Sequence, residues 1–231
     1  TIKRTGFSQK KLSQHIHYKN PELLDKYYSE GRHVTAIAAH YGNWEWLLGL
    51  AAELKHTPLA IYKPLNNERM NAFLIRKRQK FGAKLISMSE VPRELLKLKQ
   101  ENRLSITMFI ADQSPVWEET QYWTDFLNQQ TAVYLGPEKM ARKLNSVVVY
   151  YKMSLKERGQ YEVEVIPISE NPLKEEPYAI TDKYFSYIGE TIKEKPEYWL
   201  WSHNRWKLTR RRKREEASGK FRFEGKFKRN T

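Results

Sequence analysis

The sequence predicts a single α/β domain with a mostly parallel central sheet and helices on both faces. Short apolar runs rich in β-branched residues alternate with segments of helical periodicity along most of the 231 residues. No linker divides the chain, and 40% of its residues are hydrophobic, which is enough for one substantial core. Since the helices can act as crossover connections, we expect the strands to be parallel.

The overall charge restricts the partners of this domain. Lys and Arg number 41 and Asp and Glu 27, so the formal net charge is +14 and the isoelectric point is about 9.7. Such a field attracts nucleic acid, an anionic membrane face or an acidic protein. The absence of Cys excludes disulfides, thiolate zinc sites and cysteine nucleophiles. The sequence has neither an apolar run of about 18 residues nor a visible signal peptide, so we expect no spanning segment in it.

The most informative stretch starts with a predicted buried strand over residues 34–39 and ends with a predicted helix over residues 47–54. The turn between them has the sequence H-Y-G-N-W-E. It lies at the carboxyl edge of the sheet, where α/β proteins place their sites. Asn43 is predicted to cap the helix, with Trp44 and Glu45 in its first turn.

His40 and Glu45 are a candidate general base and its partner. Glu45 in the first helical turn can fold back towards the imidazole, and a neutral histidine that donates one N–H to a carboxylate keeps its other nitrogen free as a base. The pair alone favours a plainer interpretation, a histidine at a strand end followed by a glutamate at a helix N-terminus.

The other elements follow in chain order. Further strands are predicted over residues 58–62, 84–86, 105–110, 147–152 and 161–168, the last one antiparallel after the Arg158-Gly159 turn. Helices are predicted over residues 22–29, 68–82, 91–99, 138–144 and 178–193. Residues 116–134 are rich in aromatic side chains and are predicted to be irregular.

Two of these elements supply candidate substrate ligands. Arg76 and Arg78 lie on a predicted helix, and their guanidinium groups match a phosphate or carboxylate; the alternative is a solvated basic face. Residues two apart on a helix face different directions, so we expect only one of them to enter the site. Asp112 follows the strand over residues 105–110, at the same edge as His40. It either orients the motif or a bound group, or only shapes the turn.

The C-terminal part of the chain is aromatic and then basic. Residues 196–207, P-E-Y-W-L-W-S-H-N-R-W-K, have the composition of a partly buried aromatic helix. We place the domain in residues 1–207 and expect residues 208–231 to be a basic, flexible tail. Its Phe221, Phe223 and Phe227 among cations suit a membrane surface or nucleic acid equally well.

The motif H-Y-G-N-W-E resembles the His-x4-Asp/Glu motif of the glycerolipid acyltransferase superfamily, and most of all the late acyltransferases of lipid A biosynthesis. Other segments resemble the same family in the same order, from Y-K-P through R-K-R, A-D-Q and a Gly-Pro helix start to W-S-H-N-R-W-K. This resemblance covers residues 34–207 and implies a glycerol-3-phosphate acyltransferase-like fold.

The resemblance also implies an activity and a set of site residues. His40 would be the general base, and Glu45 would orient it for acyl transfer from an acyl carrier protein thioester to a hydroxyl of a lipid A precursor. The substrate-binding residues would be Asn43, Trp44, Arg76, Arg78, Asp112, His203 and Arg205. No metal or cofactor is implied.

The partners would be the carrier protein, an anionic glycolipid and a membrane surface at the cytoplasmic face of the bacterial inner membrane. Family members usually have a hydrophobic helix ahead of this region, so we expect this chain to be the catalytic portion without it.

Two other functions stay open from the sequence. One is an acyltransferase of the same superfamily that acts on a lysophospholipid or an amino-acid lipid. The other is a basic nucleic-acid-binding module without catalysis. The chain has no recognisable recognition helix or RNA-binding signature, so we expect no nucleic acid partner.

Overall fold

The computed structural model describes residues 9–218 and 226–227. Its strands are β1 (Ile16–Tyr18), β2 (Val34–Ala38), β3 (Thr57–Tyr62), β4 (Lys84–Ser87), β5 (Ser105–Ile110), β6 (Tyr122–Phe126), β7 (Gln129–Val133), β8 (Val147–Glu157), β9 (Gln160–Ser169) and β10 (Lys226–Phe227). Its α-helices are α1 (Gln9–Ser13), α2 (Glu22–Ser29), α3 (Glu68–Arg78), α4 (Val91–Gln100), α5 (Gly136–Leu144), α6 (Ala179–Glu194) and α7 (Lys207–Ala217). Short 3₁₀ helices cover Trp44–Glu53, Gln79–Phe81, Trp117–Glu119 and Pro196–Tyr198. Among the described helices, none is long and apolar enough to cross a membrane.

The central sheet has seven strands in the order β1-β9-β8-β2-β5-β3-β4. The five strands from β8 to β4 are mutually parallel, and β9 pairs antiparallel with β8, as the sequence predicts. β2 and β5 stay in register from Val34 opposite Ile106 to Ala38 opposite Ile110. The residues that follow these two strands therefore emerge side by side at the carboxyl edge of the sheet.

Helices cover both faces of this sheet, which confirms the predicted architecture. Side chains alternate between the faces along a strand. Ile37 of β2 packs in a core with α4, α5 and α6, whereas Ala36 packs on the other face. That second core includes apolar side chains of α1, α2, the 3₁₀ helix Trp44–Glu53 and the partly buried Ile75 of α3. Thus α3 and α4 lie on opposite faces of the sheet.

The region predicted to be irregular contains a hairpin. β6 and β7 pair antiparallel around Leu127 and Asn128, which both have positive φ, of 50° and 61°. Two residues with positive φ are typical of a type I′ turn, which favours Asn and Gly. The turn here has Leu rather than Gly, so the usual sequence signal for such a hairpin is weak.

Two predictions about the C-terminal region are wrong. Residues 196–207 are not one helix, because the 3₁₀ helix Pro196–Tyr198 gives way to turns before α7 begins. The flexible tail is also wrong for residues 208–217, which belong to α7. Leu208 is buried against the hairpin, and the guanidinium of Arg212 lies 4.5 Å from the ring centroid of Trp123. Cation–π contacts with aromatic side chains from distant segments of the chain thus hold the basic helix α7 against the hairpin. Residues 219–225 and 228–231, including Phe221 and Phe223, lie outside the described part.

Candidate active site

Polar side chains that follow three parallel strands lie close together at the carboxyl edge of the sheet. His40 lies two residues after β2, Asp112 two residues after β5, and Lys63 directly after β3. Because β2, β5 and β3 are neighbours in the sheet, these residues meet at its carboxyl edge. Open α/β sheets place their ligands at this edge.

A buried carboxylate holds the imidazole of His40. Asp112 Oδ1 lies 2.7 Å from His40 Nδ1, and Asp112 Oδ2 accepts from the backbone N–H of His40 at 3.1 Å. An ionised carboxylate only accepts hydrogen bonds, so Nδ1 carries the proton and Nε2 is the free, basic nitrogen. Asp112 is only 1% exposed. The structure thus places the buried Asp112 in direct contact with His40 of the H-Y-G-N-W-E motif.

The environment keeps Asp112 ionised. Burial by itself raises the pKa of this carboxyl, but the hydrogen bonds from His40, and the positive charge of His40 when it is protonated, lower it. The indole N–H of Trp199 adds a further hydrogen bond, 2.8 Å from Oδ2. As a result the pKa of Asp112 lies below its ordinary value. The carboxylate is charged at neutral pH and can stabilise an imidazolium as it forms.

Glu45 does not hold the imidazole, so the predicted contact between Glu45 and His40 is wrong. Its carboxylate binds Arg78 with both oxygens, at 2.9 Å from Nε and 2.5 Å from Nη2. The 3₁₀ helix directs Glu45 towards α3, and Asp112 already occupies Nδ1 of His40. Asp112 comes from a strand 72 residues further along the chain, so no local spacing could reveal this pair.

A pocket of about 230 Å³ opens beside Nε2 of His40. Besides His40, its charged and amide lining residues are the two partners Glu45 and Arg78 together with Lys63 and Gln113. Its walls are mainly apolar, with Leu48, Ala60, Ile61, Leu85, Met108 and Ile110 among them. The combination of a base, cations and an apolar interior suits an amphiphilic ligand with an anionic head.

A second, smaller cavity continues the apolar part of this pocket. Leu48, Ala60 and Met108 line both cavities, so they form the wall between them. Every other residue around the second cavity is apolar apart from Tyr151, and the set includes Leu47, Leu50, Ala51, Leu54, Pro58, Leu59, Ala83 and Ile106. A small apolar cavity of about 20 Å³ therefore adjoins the pocket, with lining residues from the sheet and from the 3₁₀ helix Trp44–Glu53.

The C-terminal segment clamps the loop that carries His40. The N–H of Gly42 donates to Tyr198 O at 2.9 Å, and the N–H of Leu200 donates to His40 O at 3.0 Å. Gly42 has a φ of +57°, a conformation that favours glycine, and a Cβ there would lie 3.0 Å from the ring of Tyr161. The same segment supplies Trp199 to Asp112. Both members of the His40–Asp112 pair are thus held by one C-terminal strand-like stretch.

His203 and Arg205 support the turn after Asp112 and do not line the pocket. The backbone N–H of Ser114 donates to Nε2 of His203 at 3.1 Å, and the Ser114 hydroxyl donates to Arg205 O at 2.6 Å. Arg205 is 2% exposed, with its guanidinium 5.6 Å from the ring centroid of Phe185. Burial lowers the pKa of Arg205 to about 10. A side chain so deeply buried cannot bind substrate, so that prediction is wrong for Arg205.

The remaining predicted residues divide between the pocket and its surroundings. Trp44 lines the pocket and packs edge-on against His40, with ring centroids 5.1 Å apart. Arg78 lines the pocket, whereas the exposed Arg76 does not. Asn43 is at the N-cap position as predicted, although its side chain makes no capping hydrogen bond.

Sequence reasoning did not single out three residues of this site. Trp199 binds Asp112, Gln113 places its amide nitrogen 3.4 Å from Nε2 of His40, and Lys63 lines the pocket. Lys63 and Gln113 stand in the segments Y-K-P and A-D-Q that resemble the family, and Trp199 lies two residues before W-S-H-N-R-W-K. Only the spatial arrangement shows what each one touches. In the described residues, no group of three or more His, Cys, Asp or Glu side chains is placed to hold a metal ion.

Together these features are a histidine held by a buried carboxylate, at the carboxyl edge of an α/β sheet, beside a pocket with both charged and apolar lining residues. The comparison with protein families identifies the reaction. The family model described as "Bacterial lipid A biosynthesis acyltransferase" matches residues 1–208 of the chain. The chain belongs to this family and is therefore an enzyme that transfers acyl groups in lipid A biosynthesis. A search of curated proteins found no match to the chain.

Proposed function

We propose that this enzyme transfers a fatty acyl group from an acyl carrier protein thioester to a hydroxyl of a lipid A precursor, with His40 as general base. One observation carries the proposal. Nδ1 of His40 is held by the buried Asp112, and its ring lines a pocket whose other lining residues include the cations Lys63 and Arg78 and several apolar side chains. This geometry suits an acyl chain in the apolar part and an anionic sugar lipid at the mouth.

The reaction needs one base that later returns its proton. Nε2 of His40 takes the proton of the acceptor hydroxyl while the oxygen attacks the thioester carbonyl carbon. The tetrahedral intermediate then collapses, the C–S bond breaks, and the imidazolium gives its proton to the leaving thiolate. The negative charge of Asp112 stabilises the imidazolium between these steps. No acyl-enzyme forms in this sequence.

The cations at the mouth bind the acceptor. Glu45 binds Arg78 through Nε and Nη2, which fixes the guanidinium and leaves Nη1 free for an anionic group. Lys63 adds a second positive charge to the lining of the same pocket. We therefore assign Glu45 a positioning role through Arg78 instead of the direct contact with His40. We assign stabilisation of the oxyanion to backbone N–H groups at the start of the 3₁₀ helix Trp44–Glu53 and to the Gln113 amide.

The charge of the whole chain agrees with the partners in this proposal. A formal net charge of +14 favours docking of an acidic carrier protein and of an anionic membrane face. We place the enzyme at the cytoplasmic face of the bacterial inner membrane, where such a donor and such an acceptor meet.

Transfer of a radiolabelled acyl group from acyl carrier protein to a lipid A precursor tests the proposal. His40→Ala and Asp112→Asn should each reduce kcat by about 10²–10⁴-fold, because a positioned base contributes that much. His17→Ala, at an exposed position of β1, is the matched control and should transfer at the wild-type rate. Near-normal turnover by His40→Ala would contradict the assignment of His40 as the general base. Acylation of a lysophospholipid in preference to the lipid A precursor would contradict the proposal that the acceptor is a lipid A precursor.

A further inference from the structure

α3 and the loop before it form an unusually exposed surface. None of the 11 residues of α3 is buried, whereas α4 buries Val91, Leu95 and Leu98 with a similar length. Residues 63–70 are all exposed. We call this region the α3 surface and define it by Lys63, Leu65, Arg69, Met70 and Arg76.

The charge on the α3 surface is positive and is not neutralised by neighbours. Arg69 and Arg76 are seven residues apart, so they lie on the same side of the helix, and Lys63 extends the positive charge into the loop. In the part of the chain that the structure describes, none of these three has an ion pair within 4.0 Å. Glu68 is the acidic residue in the first turn of α3. The surface is therefore suited to anionic groups.

Two large apolar side chains project among these cations. Leu65 is 45% exposed and Met70 is 49% exposed. The backbone N–H of Leu65 donates to Asn71 Oδ1, and the N–H of Met70 donates to Asn67 Oδ1. These two bonds fold the loop that carries Leu65 onto the start of α3, which carries Met70. An exposed apolar pair framed by cations is typical of a surface that enters a lipid headgroup region.

The α3 surface also lies at the entrance of the active site. Lys63 belongs to both the surface and the pocket, and Arg78, the last residue of α3, lines the same pocket. An amphiphile that leaves a bilayer next to α3 would meet the cations at the mouth before it reaches His40.

We infer that the α3 surface docks the enzyme on an anionic lipid bilayer, with Leu65 and Met70 in the headgroup region and Arg69 and Arg76 on lipid phosphates. The inference rests on the proposed function in one respect, namely that the acceptor is presented by a bilayer. An acidic protein is the other partner that the charge would admit. The membrane fits better because Leu65 and Met70 expose apolar side chains in the same segment as the cations, and a lipid headgroup region accepts both. By contrast, α7 exposes cations at Arg210 and Arg214 without a large exposed apolar residue.

The 231-residue chain contains no cysteine, which allows a site-specific test on this chain. A single cysteine replaces Met70 and carries a polarity-sensitive fluorophore. The matched control replaces Leu96, which is 58% exposed on α4, on the opposite face of the sheet. Vesicles of phosphatidylglycerol should shift the emission of the Met70 label to the blue, whereas pure phosphatidylcholine vesicles should not. The Leu96 label should not respond to either vesicle.

An equal response of the two labels, or none at Met70, would overturn the inference. A response of the Met70 label to acyl carrier protein but not to vesicles would assign the surface to the carrier instead. Both results are read without turnover, so they are independent of the catalytic proposal. His40→Ala should bind vesicles as tightly as wild type, which separates failure of docking from failure of the chemistry.

Charge variants give a second, quantitative test by co-sedimentation with phosphatidylglycerol vesicles. The double variant Arg69→Gln/Arg76→Gln should lose roughly 30-fold in apparent affinity, since each cation near anionic lipid is worth about fivefold. The control Arg210→Gln/Arg214→Gln removes the same charge from α7 and should lose less than about threefold. Equal losses would mean that only the net charge attracts the membrane, and the α3 surface would have no special role.

Discussion

At the scale of single residues, the proposed chemistry depends on Asp112. This carboxylate accepts three hydrogen bonds, from Nδ1 and the backbone N–H of His40 and from the indole of Trp199. The first fixes the tautomer of the base, and the second ties the carboxylate to the backbone of the residue it orients. The third comes from a segment 87 residues away and completes the shell around a buried charge.

Trp199 should be a positioning residue for this pair. Trp199→Phe keeps a ring against Phe126 but removes the N–H that holds Asp112 Oδ2. A hydrogen bond to a charged group is worth about 1.5–3 kcal/mol, so we expect kcat to fall at least roughly tenfold while KM changes little. Steady-state kinetics and the pH–rate profile measure this effect.

Trp201→Phe is the matched control, because it makes the same change two residues away on an exposed ring that donates to Pro196 O. It should retain the wild-type kcat. If the two variants lose the same activity, the role of Trp199 is only to pack the segment.

At the scale of elements, the site is a meeting of three loops. The loop after β2 carries His40, the turn after β5 carries Asp112, and the stretch before α7 binds both of them through backbone and side-chain hydrogen bonds. The sheet fixes the first two, whereas the third has only the short 3₁₀ helix Pro196–Tyr198 and the bridge between Tyr41 and Trp199. Its position therefore depends on these few contacts.

Gly42→Ala should destabilise the contact between the His40 loop and the stretch before α7 by more than the backbone strain of a positive φ predicts. Positive φ at a non-glycine residue costs about 1 kcal/mol or more, and the new Cβ would also lie 3.1 Å from the sulfur of Met153. Gly31→Ala is the control, since Gly31 has a φ of +70° but nothing within 4 Å of a Cβ. Urea unfolding should show a larger loss of unfolding free energy for Gly42→Ala, accompanied by a loss of transfer activity. Equal losses with full activity would show that the loop adjusts freely.

The turn after β5 should be sensitive to acid through His203. Burial, helped by the charges of Arg205 and Lys207, lowers the pKa of His203, and its Nε2 must be unprotonated to accept from Ser114. The unfolded chain then binds a proton at a higher pH than the folded chain does. Stability from this group is therefore complete above the ordinary histidine pKa of about 6.5 and falls as the pH drops through the lowered value.

His203→Gln provides the measurement, because its amide oxygen can still accept from the Ser114 N–H. The fall in unfolding free energy between pH 7 and pH 5 should be smaller in this variant than in wild type. Ser202→Ala, next to it and exposed, should keep the wild-type fall. His33 and His56, whose pKa values burial also lowers, account for part of the remaining slope. An unchanged slope in His203→Gln would contradict the assignment.

At the scale of the whole molecule, the cavity between the sheet and the 3₁₀ helix Trp44–Glu53 should determine which length of acyl chain the enzyme prefers. Ala60 lines both the pocket at His40 and the deeper apolar cavity. Ala60→Val adds two methyl groups to this wall, so we expect the preference to move towards donors with shorter acyl chains. Competition between two labelled thioesters of different length measures the ratio. Ala141→Val, buried in the core on the opposite face of the sheet, is the control and should leave the ratio unchanged.

Much of this molecule follows from local patterns in the sequence. Apolar β-branched runs such as residues 147–152 have few alternatives to a buried strand, and the parallel order follows from the helices between them. The position of Asp112 at the edge shared with His40 follows from the same reasoning. The hairpin of β6 and β7 did not follow, because Leu127 adopts a turn conformation that its residue type disfavours.

The sequence by itself determined the fold class, the family resemblance and the edge of the sheet at which the site lies, because these depend on periodicity and on motifs of nearby residues. The tertiary structure decided which side chains contact one another at the site. Asp112 and not Glu45 holds His40, Glu45 binds Arg78, and Arg205 is buried behind the site. Each of these contacts joins segments that are 33 or more residues apart, and side-chain direction at a turn is set by packing, which spacing along the chain does not encode.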